Sequence, residues 1–402
     1  MCDCSKLPPV AVIVILLSMT VFPTVQAIPI AESNETEEIE IRVAIYDSYV
    51  FRSPKKCRDA LNYSWTHNNT NYKFNAKLIY DKEVYGLCKK DERLTNDNYD
   101  AFIIAGSMRQ FPINMGFLFQ FDRQKLAQIY KVLPMDKLWI RNVKIFIENG
   151  GGYIGICGGA NIGCLGCPLR NTQDNSISDL LTLFVHHLGI AKVFSNDQQW
   201  QEWMYSWKEP LGPASDECGV PINCSVNYEH PIFAGYNKDN LNLRWWSGPG
   251  LYEDDDKLRY FDGKLGEVTW LATYDEEPME KAPIYRWIKK RGVYQKAWRI
   301  TTDIEGDYAA IATTYNEKGR ITLYGPHPEH QTLFGGHVYE FKTLTPYKFM
   351  TAVWPFRADP YGYNWTGGTY SPVDYTWWII RRSAAWVAHV PDDAMPPIEY
   401  FD

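Results

Sequence analysis

The sequence predicts an α/β domain built as a three-layer sandwich, with a mainly parallel sheet between two layers of helices. In the first half of the chain, short apolar runs typical of buried strands alternate with helical and turn segments. That order favours a parallel sheet covered on both faces. In addition, 45% of the 402 residues are apolar and 15% are aromatic. This composition supplies a sizeable core and excludes a disordered chain.

The first half supplies the strands of the parallel sheet. Strands are predicted at 41–46, 74–80, 101–105 and 153–156. A helical pattern with polar and apolar residues at three-to-four spacing covers 122–149, between the third and fourth strands. The fourth strand leads directly into Cys157, so that residue is expected at the carboxyl end of a parallel strand.

The second half is predicted to contain shorter, more alternating strands, at 244–250, 267–274, 308–314 and 320–324. The segment 316–319 has the composition of a hairpin turn between the last two. Helices are predicted at 179–188 and 377–390. Three segments rich in polar and aromatic residues are predicted to be loops or insertions on the core: 50–72, 196–224 and 275–300.

The amino terminus has the pattern of a secretory signal peptide. An apolar run at 10–22 follows Lys6 and precedes the small-residue cleavage pattern Val25-Gln26-Ala27. This run is shorter than the roughly 20 residues of a membrane-spanning helix, although an uncleaved amino-terminal anchor stays an alternative. We predict a signal peptide at 1–27, a polar tether at 28–40 and one domain at 41–402. We therefore expect a secreted or cell-surface protein whose mature chain does not span a membrane.

The charge pattern argues against nucleic acid as a partner. The net charge is −7, and basic residues are scattered apart from the short run Lys289-Lys290-Arg291. Phosphate backbones are bound by clustered positive charge, which the rest of the chain lacks. The short run is interpreted as a solvated face.

Seven cysteines lie beyond the predicted signal peptide, and an odd number in an oxidising compartment indicates a free thiol. Besides Cys157, the disulfide candidates are Cys57, Cys88, Cys164, Cys167, Cys218 and Cys224. The sequence does not choose among their pairings. Short closures are favoured: Cys57 with Cys88, Cys218 with Cys224, and a structural bridge in the Cys164-Leu-Gly-Cys167 segment.

Five Asn-x-Ser/Thr acceptor sequences also indicate a secreted protein with glycosylated surface loops. They begin at Asn34, Asn62, Asn68, Asn223 and Asn364.

The segment Gly155-Ile-Cys157-Gly158-Gly159 is typical of a nucleophile elbow. In such an elbow a tight turn between strand and helix strains the backbone of the nucleophile. The helix amino terminus favours a thiolate there, and the Gly158 N–H would face a developing oxyanion. Taken alone, the motif fits a glycine-rich turn around a buried cysteine equally well.

A second motif, Gly325-Pro-His327-Pro-Glu329, follows the predicted strand at 320–324. A cysteine nucleophile needs a histidine base, and the histidine needs a carboxylate that fixes its tautomer. His327 and Glu329 supply both groups within three residues. The two motifs together predict a Cys157–His327–Glu329 triad.

With these two motifs, the sequence resembles class I glutamine amidotransferase-like proteins, and in finer detail the amino-terminal domain of some biotin–protein ligases. The resemblance covers about 41–337 and rests on 151–160, 246–249 and 319–329. It implies a flavodoxin-like α/β fold whose active site lies at the carboxyl ends of the parallel strands. Because no ligase catalytic domain is recognised in the 65 residues after 337, biotin transfer is not expected.

The resemblance also implies the roles of individual residues. Cys157 would be the nucleophile, His327 the base and Glu329 the residue that orients it. The oxyanion donors would be Gly158 together with Gly106 or Ser107, where many relatives have two glycines.

These observations predict a secreted, cysteine-dependent hydrolase of an amide, of the amidase or peptidase type. The substrate would be a small molecule, a peptide or a glycopeptide. No cofactor is expected, and no metal, because His327, Glu329 and His330 are closely spaced and no third ligand group with metal spacing follows. One alternative is a catalytically silent extracellular binding protein with the same fold. Another is an amidotransferase subunit that acts with a partner synthetase.

Overall fold

The structure is a computed structural model that describes residues 37–47, 52–106, 137–167, 187–196, 219–246, 248–258, 263–299, 301–342 and 361–399. They belong to one compact unit, Glu37–Asp402. Several predictions lie outside the described residues: the signal peptide, Asn34, Ser107, Cys218, and most of the helix at 179–188. Among the residues described, no helix has the length and apolar character needed to cross a membrane.

The centre of the main sheet is parallel. Its strands are β1 (Glu37–Tyr46), β3 (Thr70–Ile79), β4 (Ala101–Ala105), β5 (Gly152–Ile156) and β14 (Gly319–Tyr324). They lie in the order β3-β1-β4-β5-β14, and every neighbouring pair in this group runs parallel. The carboxyl ends of β5 and β14 therefore lie side by side at one edge.

Antiparallel strands extend this centre on both sides to a sheet of 12 described strands. On one side lies β2 (Ser64–His67). On the other lie β13 (Tyr308–Tyr315), β10 (Thr269–Tyr274), β7 (Val220–Val226) and β8 (Leu241–Trp245). The short strands β6 (Phe194–Asn196) and β9 (Gly250–Tyr252) pair with each other, and β9 also pairs with β13.

Three two-stranded ribbons stand apart from the main sheet. They are β11 (Tyr285–Lys290) with β12 (Val293–Arg299), β15 (Leu333–Phe334) with β18 (Thr369–Tyr370), and β16 (His337–Lys342) with β17 (Tyr361–Thr366).

Helices cover both faces of the sheet, which gives the three layers. The described helices are α1 (Ser53–Ala60), α2 (Asp81–Tyr85), α3 (137–148 in its described part), α4 (Gly158–Gly163), α5 (Asp255–Leu258), α6 (Pro278–Lys281) and α7 (Trp377–Val387), with short 3₁₀ turns at Lys90–Glu92 and Asp392–Ala394. One buried cluster contains side chains of α1 and α7, and a second contains side chains of α2, α3 and α4.

The side chains of β1 show why two cores form. Val43 and Ile45 belong to the cluster with α1 and α7, while Ala44 and Tyr46 belong to the cluster with α2, α3 and α4. Successive side chains of a strand point to opposite faces, so an apolar run without polar alternation buries both. The predicted α/β, flavodoxin-like three-layer sandwich with a parallel centre is confirmed.

Several predicted boundaries change. The strand at 101–105 and the hairpin turn at 316–319 are confirmed, and Tyr315 pairs with Gly319 across that turn. β1 begins at Glu37, inside the predicted tether. The predicted strand at 244–250 is wrong, because β8 ends at Trp245 and β9 begins at Gly250. A side chain at Gly248 would overlap the carbonyl of Gly325, so this segment is a close backbone contact instead.

The prediction of loops at 50–72, 196–224 and 275–300 is wrong in part. These segments contain α1, β2, the start of β3, most of β7, α6 and the β11–β12 ribbon. In the ribbon, aromatic and basic side chains interleave, so strict apolar alternation is absent although the backbone is extended.

The predicted Cys57–Cys88 disulfide is wrong. Cys57 lies on α1 in the cluster on one face of the sheet, whereas Val84 of α2, four residues before Cys88, lies in the cluster on the other face. Neither cysteine forms a disulfide with a described residue. The predicted bridge in the Cys164–Cys167 segment is also wrong, because both residues are thiols and the Cys164 thiol donates a hydrogen bond to the Ala160 carbonyl at 3.2 Å. Cys224 is buried and is also a thiol here.

Candidate active site

Cys157 occupies a strained turn between β5 and α4. Its backbone has φ 54° and ψ −113°, a conformation that residues with a side chain rarely adopt. The Cys157 N–H donates to the Tyr324 carbonyl at 2.7 Å, which ties this turn to the end of β14. The side chain is half-buried and the thiol is free. This is the backbone geometry of a nucleophile elbow.

The two outer glycines of the motif are sterically required. A side chain at Gly155 would collide with the backbone of Gly159, and one at Gly159 would overlap the carbonyl of Ile104 on β4. Strand and helix can approach this closely only without Cβ atoms. The glycines therefore set the distance between β5 and α4 that fixes the position of Cys157.

His327 and Glu329 follow β14, the parallel neighbour of β5, so they lie at the same sheet edge as Cys157. The His327 N–H donates to the Arg244 carbonyl at 2.8 Å, which anchors the loop to β8. His327 Nδ1 lies 2.8 Å from Glu329 Oε1, and the two side chains are 1% and 0% exposed. The carboxylate therefore fixes the tautomer of the imidazole and leaves Nε2 to face other groups.

Burial and charge act against each other in this pair. Burial disfavours the imidazolium of His327, but the charges of Glu329 and Cys157 outweigh it and raise the pKa to about 10. Burial likewise disfavours ionised Glu329, and the positive charge and hydrogen bond of His327 overcome it and lower that pKa to about 2. At neutral pH the pair is a carboxylate and an imidazolium.

The thiol and the imidazole interact by charge but are not joined by a hydrogen bond of normal geometry. Buried His327 Nε2 makes no hydrogen bond of normal geometry in the described part of the chain, but the Cys157 side chain is near enough to raise the pKa of His327 by charge and by a weak hydrogen bond. The Cys157 thiol instead contacts the Trp246 carbonyl at 3.8 Å, and the Trp246 ring lies 6.1 Å from the His327 ring. Hydrogen bonds of this kind are often long in free enzymes and shorten when substrate binds.

Ser53 and His330 support the carboxylate, and neither was predicted as a site residue. Ser53, the first residue of α1, is 2% exposed and hydrogen-bonds Glu329, which helps to lower the pKa of that carboxyl. Its Oγ also lies 2.9 Å from His330 Nε2. Burial and the charge of His327 lower the pKa of His330 to about 3, against the attraction of Glu329. Ser53 thus connects His330 to the Glu329 carboxylate.

The predicted oxyanion donors are Gly158 and, as a second donor, Gly106 or Ser107. Gly158 is the first residue of α4, where the backbone N–H has no acceptor within the helix. The Gly106 N–H donates to the Ile156 carbonyl at 3.1 Å in this conformation, and the role of Gly106 or Ser107 as second donor stays a prediction. Gly106 has φ +55°, and a side chain there would reach within 3.0 Å of Ser53 Oγ. Its absence of a side chain leaves room for Ser53.

His327, Glu329 and His330 have the spacing of metal ligands. One ligand atom from each of the three side chains lies within 4.8 Å of the others. In this arrangement His327 Nδ1 is engaged by Glu329, and His330 Nε2 by Ser53. A metal ion would have to displace both hydrogen bonds. The observed geometry therefore favours the triad, and the expectation of no metal stays a prediction.

The predicted glycosylation sites differ in their surroundings. Asn62 and Asn68 are exposed and lie in the bends on either side of β2. Asn364 is half-buried on β17. Asn223 was predicted in a loop, which is wrong: it lies on β7 between two paired strands, and its amide donates to Glu276 at 2.7 Å.

Comparisons with known proteins leave the family open. No family model matches the sequence, and none of the curated proteins does. One similar solved structure is a GMP synthase component from Thermoplasma acidophilum, 11% identical, covering 72% of this chain and 84% of that one at a TM-score of 0.30. Another is a ThuA-like protein from Bacteroides uniformis, 12% identical, covering 73% and 82%, also at 0.30.

At these TM-scores the likeness carries no argument about function, and the fold class rests on the strand order of the sheet itself. The finer resemblance to the amino-terminal domain of biotin–protein ligases is not shown by the comparisons. It stays a hypothesis that depends on the two motifs.

Proposed function

We propose that the protein is a cysteine-dependent hydrolase of amide bonds, with Cys157 as nucleophile, His327 as acid and base, and Glu329 as the residue that orients His327. The observation that most supports this is the buried His327–Glu329 pair at the sheet edge that also carries the strained Cys157. A buried ion pair is costly to maintain. Next to a strained nucleophile, it is better explained by catalysis than by stability.

The chemistry divides into two steps. In the first, the Cys157 thiolate attacks the amide carbonyl carbon, and the Gly158 N–H stabilises the oxyanion of the tetrahedral intermediate. His327 Nε2 then donates its proton to the leaving nitrogen. The C–N bond breaks, which releases an amine and leaves a thioester on Cys157.

In the second step, neutral His327 removes a proton from water, and the resulting hydroxide attacks the thioester. Collapse of the resulting tetrahedral intermediate breaks the C–S bond, which releases a carboxylic acid and regenerates the Cys157 thiolate beside the His327 imidazolium. Glu329 stays ionised throughout, because its role is to hold the imidazole and to stabilise its charge. Protein groups and water supply every proton in this scheme.

We further propose that the protein acts outside the cell, on a small-molecule, peptide or glycopeptide amide. The signal-peptide pattern and the five acceptor sequences support this location. A free Cys157 agrees with a catalytic use, since a disulfide at this residue would have blocked it.

A catalytically silent binding protein is the second candidate, and one observation favours it. The Cys157 thiol contacts Trp246 and makes no hydrogen bond of normal geometry to His327. If this arrangement also persists in the presence of substrate, His327 does not stabilise the Cys157 thiolate, and the nucleophile is not activated.

The test is a screen of amide substrates with detection of the intermediate. The protein would be incubated with peptide and acyl p-nitroanilides, and acyl adducts would be mapped by mass spectrometry after acid quench. We expect a thioester on Cys157 that is absent in C157A and that accumulates in H327A only slowly. Turnover that survives in C157A would contradict the proposal, and substrate binding without any adduct would favour the silent binding protein.

A further inference from the structure

The β11–β12 ribbon concentrates positive charge in a protein that is negative overall. Residues 285–299 contain six Lys and Arg residues and no Asp or Glu, whereas the whole chain has 41 basic against 48 acidic residues. Such a local excess creates a positive field on an otherwise acidic surface. From the sequence, the central run Lys289-Lys290-Arg291 was predicted to be a solvated face.

The structure places five of these six charges in two groups. At the base of the ribbon, Lys296 lies 2.9 Å from Glu340, and Arg299 lies 3.4 Å from Glu280. At the turn, Lys289, Lys290 and Arg291 are exposed and form no ion pair with any described residue. The uncompensated charge is therefore at the tip.

The three cations lie at or beside a tight hairpin turn. Arg291 and Gly292 both have positive φ, 47° and 85°, as a two-residue hairpin turn requires. Lys290 pairs with Val293 across the turn. Val293 is 62% exposed, an apolar side chain presented to solvent among three cations.

The ribbon is also held firmly at its base. Buried Tyr363 of β17 accepts hydrogen bonds from the Tyr285 N–H and from Trp287 Nε1, both at 3.1 Å. The Lys296 ammonium lies 4.5 Å above the Tyr285 ring. Since the base is fixed, the tip is a preorganised projection that loses little entropy on binding.

We propose that this tip docks the protein on an anionic lipid surface: Lys289, Lys290 and Arg291 contact the headgroups and Val293 enters the interface between headgroups and acyl chains. Basic residues beside an exposed apolar side chain are the combination that anionic membranes select. A sulfated polysaccharide would use the cations but gain nothing from Val293. Docking at this tip is independent of the hydrolase proposal, and outside the cell it requires anionic lipid in the outer leaflet.

The test is co-sedimentation of the full chain with vesicles of phosphatidylcholine alone or with 30% phosphatidylserine. We expect binding only to the anionic vesicles, weakening as salt rises. K290S/R291S should reduce affinity by about 25-fold, from the usual contribution of each cation near an anionic surface. V293S should reduce it by roughly tenfold, without changing its dependence on salt.

The matched control is K89S/K90S, which removes two exposed lysines near the 3₁₀ turn Lys90–Glu92 and should leave vesicle binding unchanged. Thermal unfolding would check that each variant is folded. No binding of the unmodified chain to anionic vesicles would overturn the proposal, as would an equal loss in the control. Retention on heparin beads that needs Lys290 and Arg291 but not Val293, without vesicle binding, would assign the tip to sulfated polysaccharides instead.

Discussion

The triad region and the tip of the β11–β12 ribbon both concentrate charge, but they differ in their access to water. His327 and Glu329 are 1% and 0% exposed and lie 2.8 Å apart, whereas Lys290 and Arg291 are exposed. In a low-dielectric interior each charge depends strongly on its neighbour, and in water the same charge is screened. Removing one charged side chain should therefore alter the whole triad region. Removing charged side chains at the tip should change the unfolding free energy only slightly, and these changes should be additive.

The largest effect is expected where close packing sets the triad geometry. Since a Cβ at Gly159 would overlap the Ile104 carbonyl, G159A should cost about 3 kcal/mol or more, or prevent folding. Denaturant unfolding measures this cost. G263A is the control, because nothing lies within 4 Å of a Cβ there, and it should stay within about 0.5 kcal/mol of the unmodified chain. Equal costs for the two variants would contradict the packing argument.

The second effect is the dependence of stability on pH. His327 has a folded pKa of about 10, above its unfolded value of 6.5. Its contribution to the unfolding free energy is therefore complete below pH 6.5 and is lost as pH rises toward 10. The pKa of Glu329 is lowered to about 2, so this residue stabilises the folded state above pH 4.5, and the stabilisation is lost as pH falls. The pKa values of buried His330 and His230 are lowered to about 3 and about 4. Between these values and pH 6.5 both residues bind protons mainly in the unfolded chain, so the unfolding free energy also falls below pH 6.5.

The unfolding free energy should therefore peak near pH 6.5 and decline on both sides. Urea titrations between pH 4 and 10 check this. In H327A the decline between pH 6.5 and 9 should disappear while the acid decline remains; above pH 9 a decline should persist, because burial raises the pKa of the Cys57 and Cys224 thiols. An alkaline decline of the same slope in H327A would assign it to other groups.

A smaller effect is expected for Ser53. S53A removes a buried hydroxyl that hydrogen-bonds Glu329 and His330, at a cost of about 1–3 kcal/mol. S383A is the matched control, because Ser383 is also buried and lies 2.6 Å from the Tyr324 hydroxyl, outside the triad. Both should lower the unfolding free energy, but only S53A should shift the pH dependence of Cys157 alkylation. A shift of equal size in S383A would reduce Ser53 to a packing role.

The smallest stability effect is expected at the tip. K290S/R291S should change the unfolding free energy by less than about 0.5 kcal/mol, because both side chains are exposed and without ion pairs to described residues. Thermal unfolding at low and high salt is the measurement. A loss of several kcal/mol would mean that the tip supports the fold and would remove its contrast with the triad region.

The fold and the triad motifs were predictable because their signals are local in sequence. Continuous apolar runs predicted the parallel strands, and the elbow motif at Cys157 and the His327–Glu329 spacing each lie within five residues. Ser53 was missed because it reaches Glu329 only through the packing of α1. The Cys57–Cys88 bridge was mistaken for the same reason, because the face of the sheet on which a residue lies is a tertiary feature.

The most direct test of the central claim is the rate of Cys157 alkylation by iodoacetamide between pH 4 and 9, mapped by mass spectrometry on the non-reduced protein. Cys88 is an internal control, because burial and the nearby carboxylates of Glu83 and Glu92 raise the pKa of its thiol. We expect Cys157 to be alkylated already below pH 7, where Cys88 does not react. This reactivity of Cys157 below pH 7 should be lost in H327A but not in H67A. Equal pH profiles for Cys157 and Cys88 in the unmodified protein would contradict an activated nucleophile.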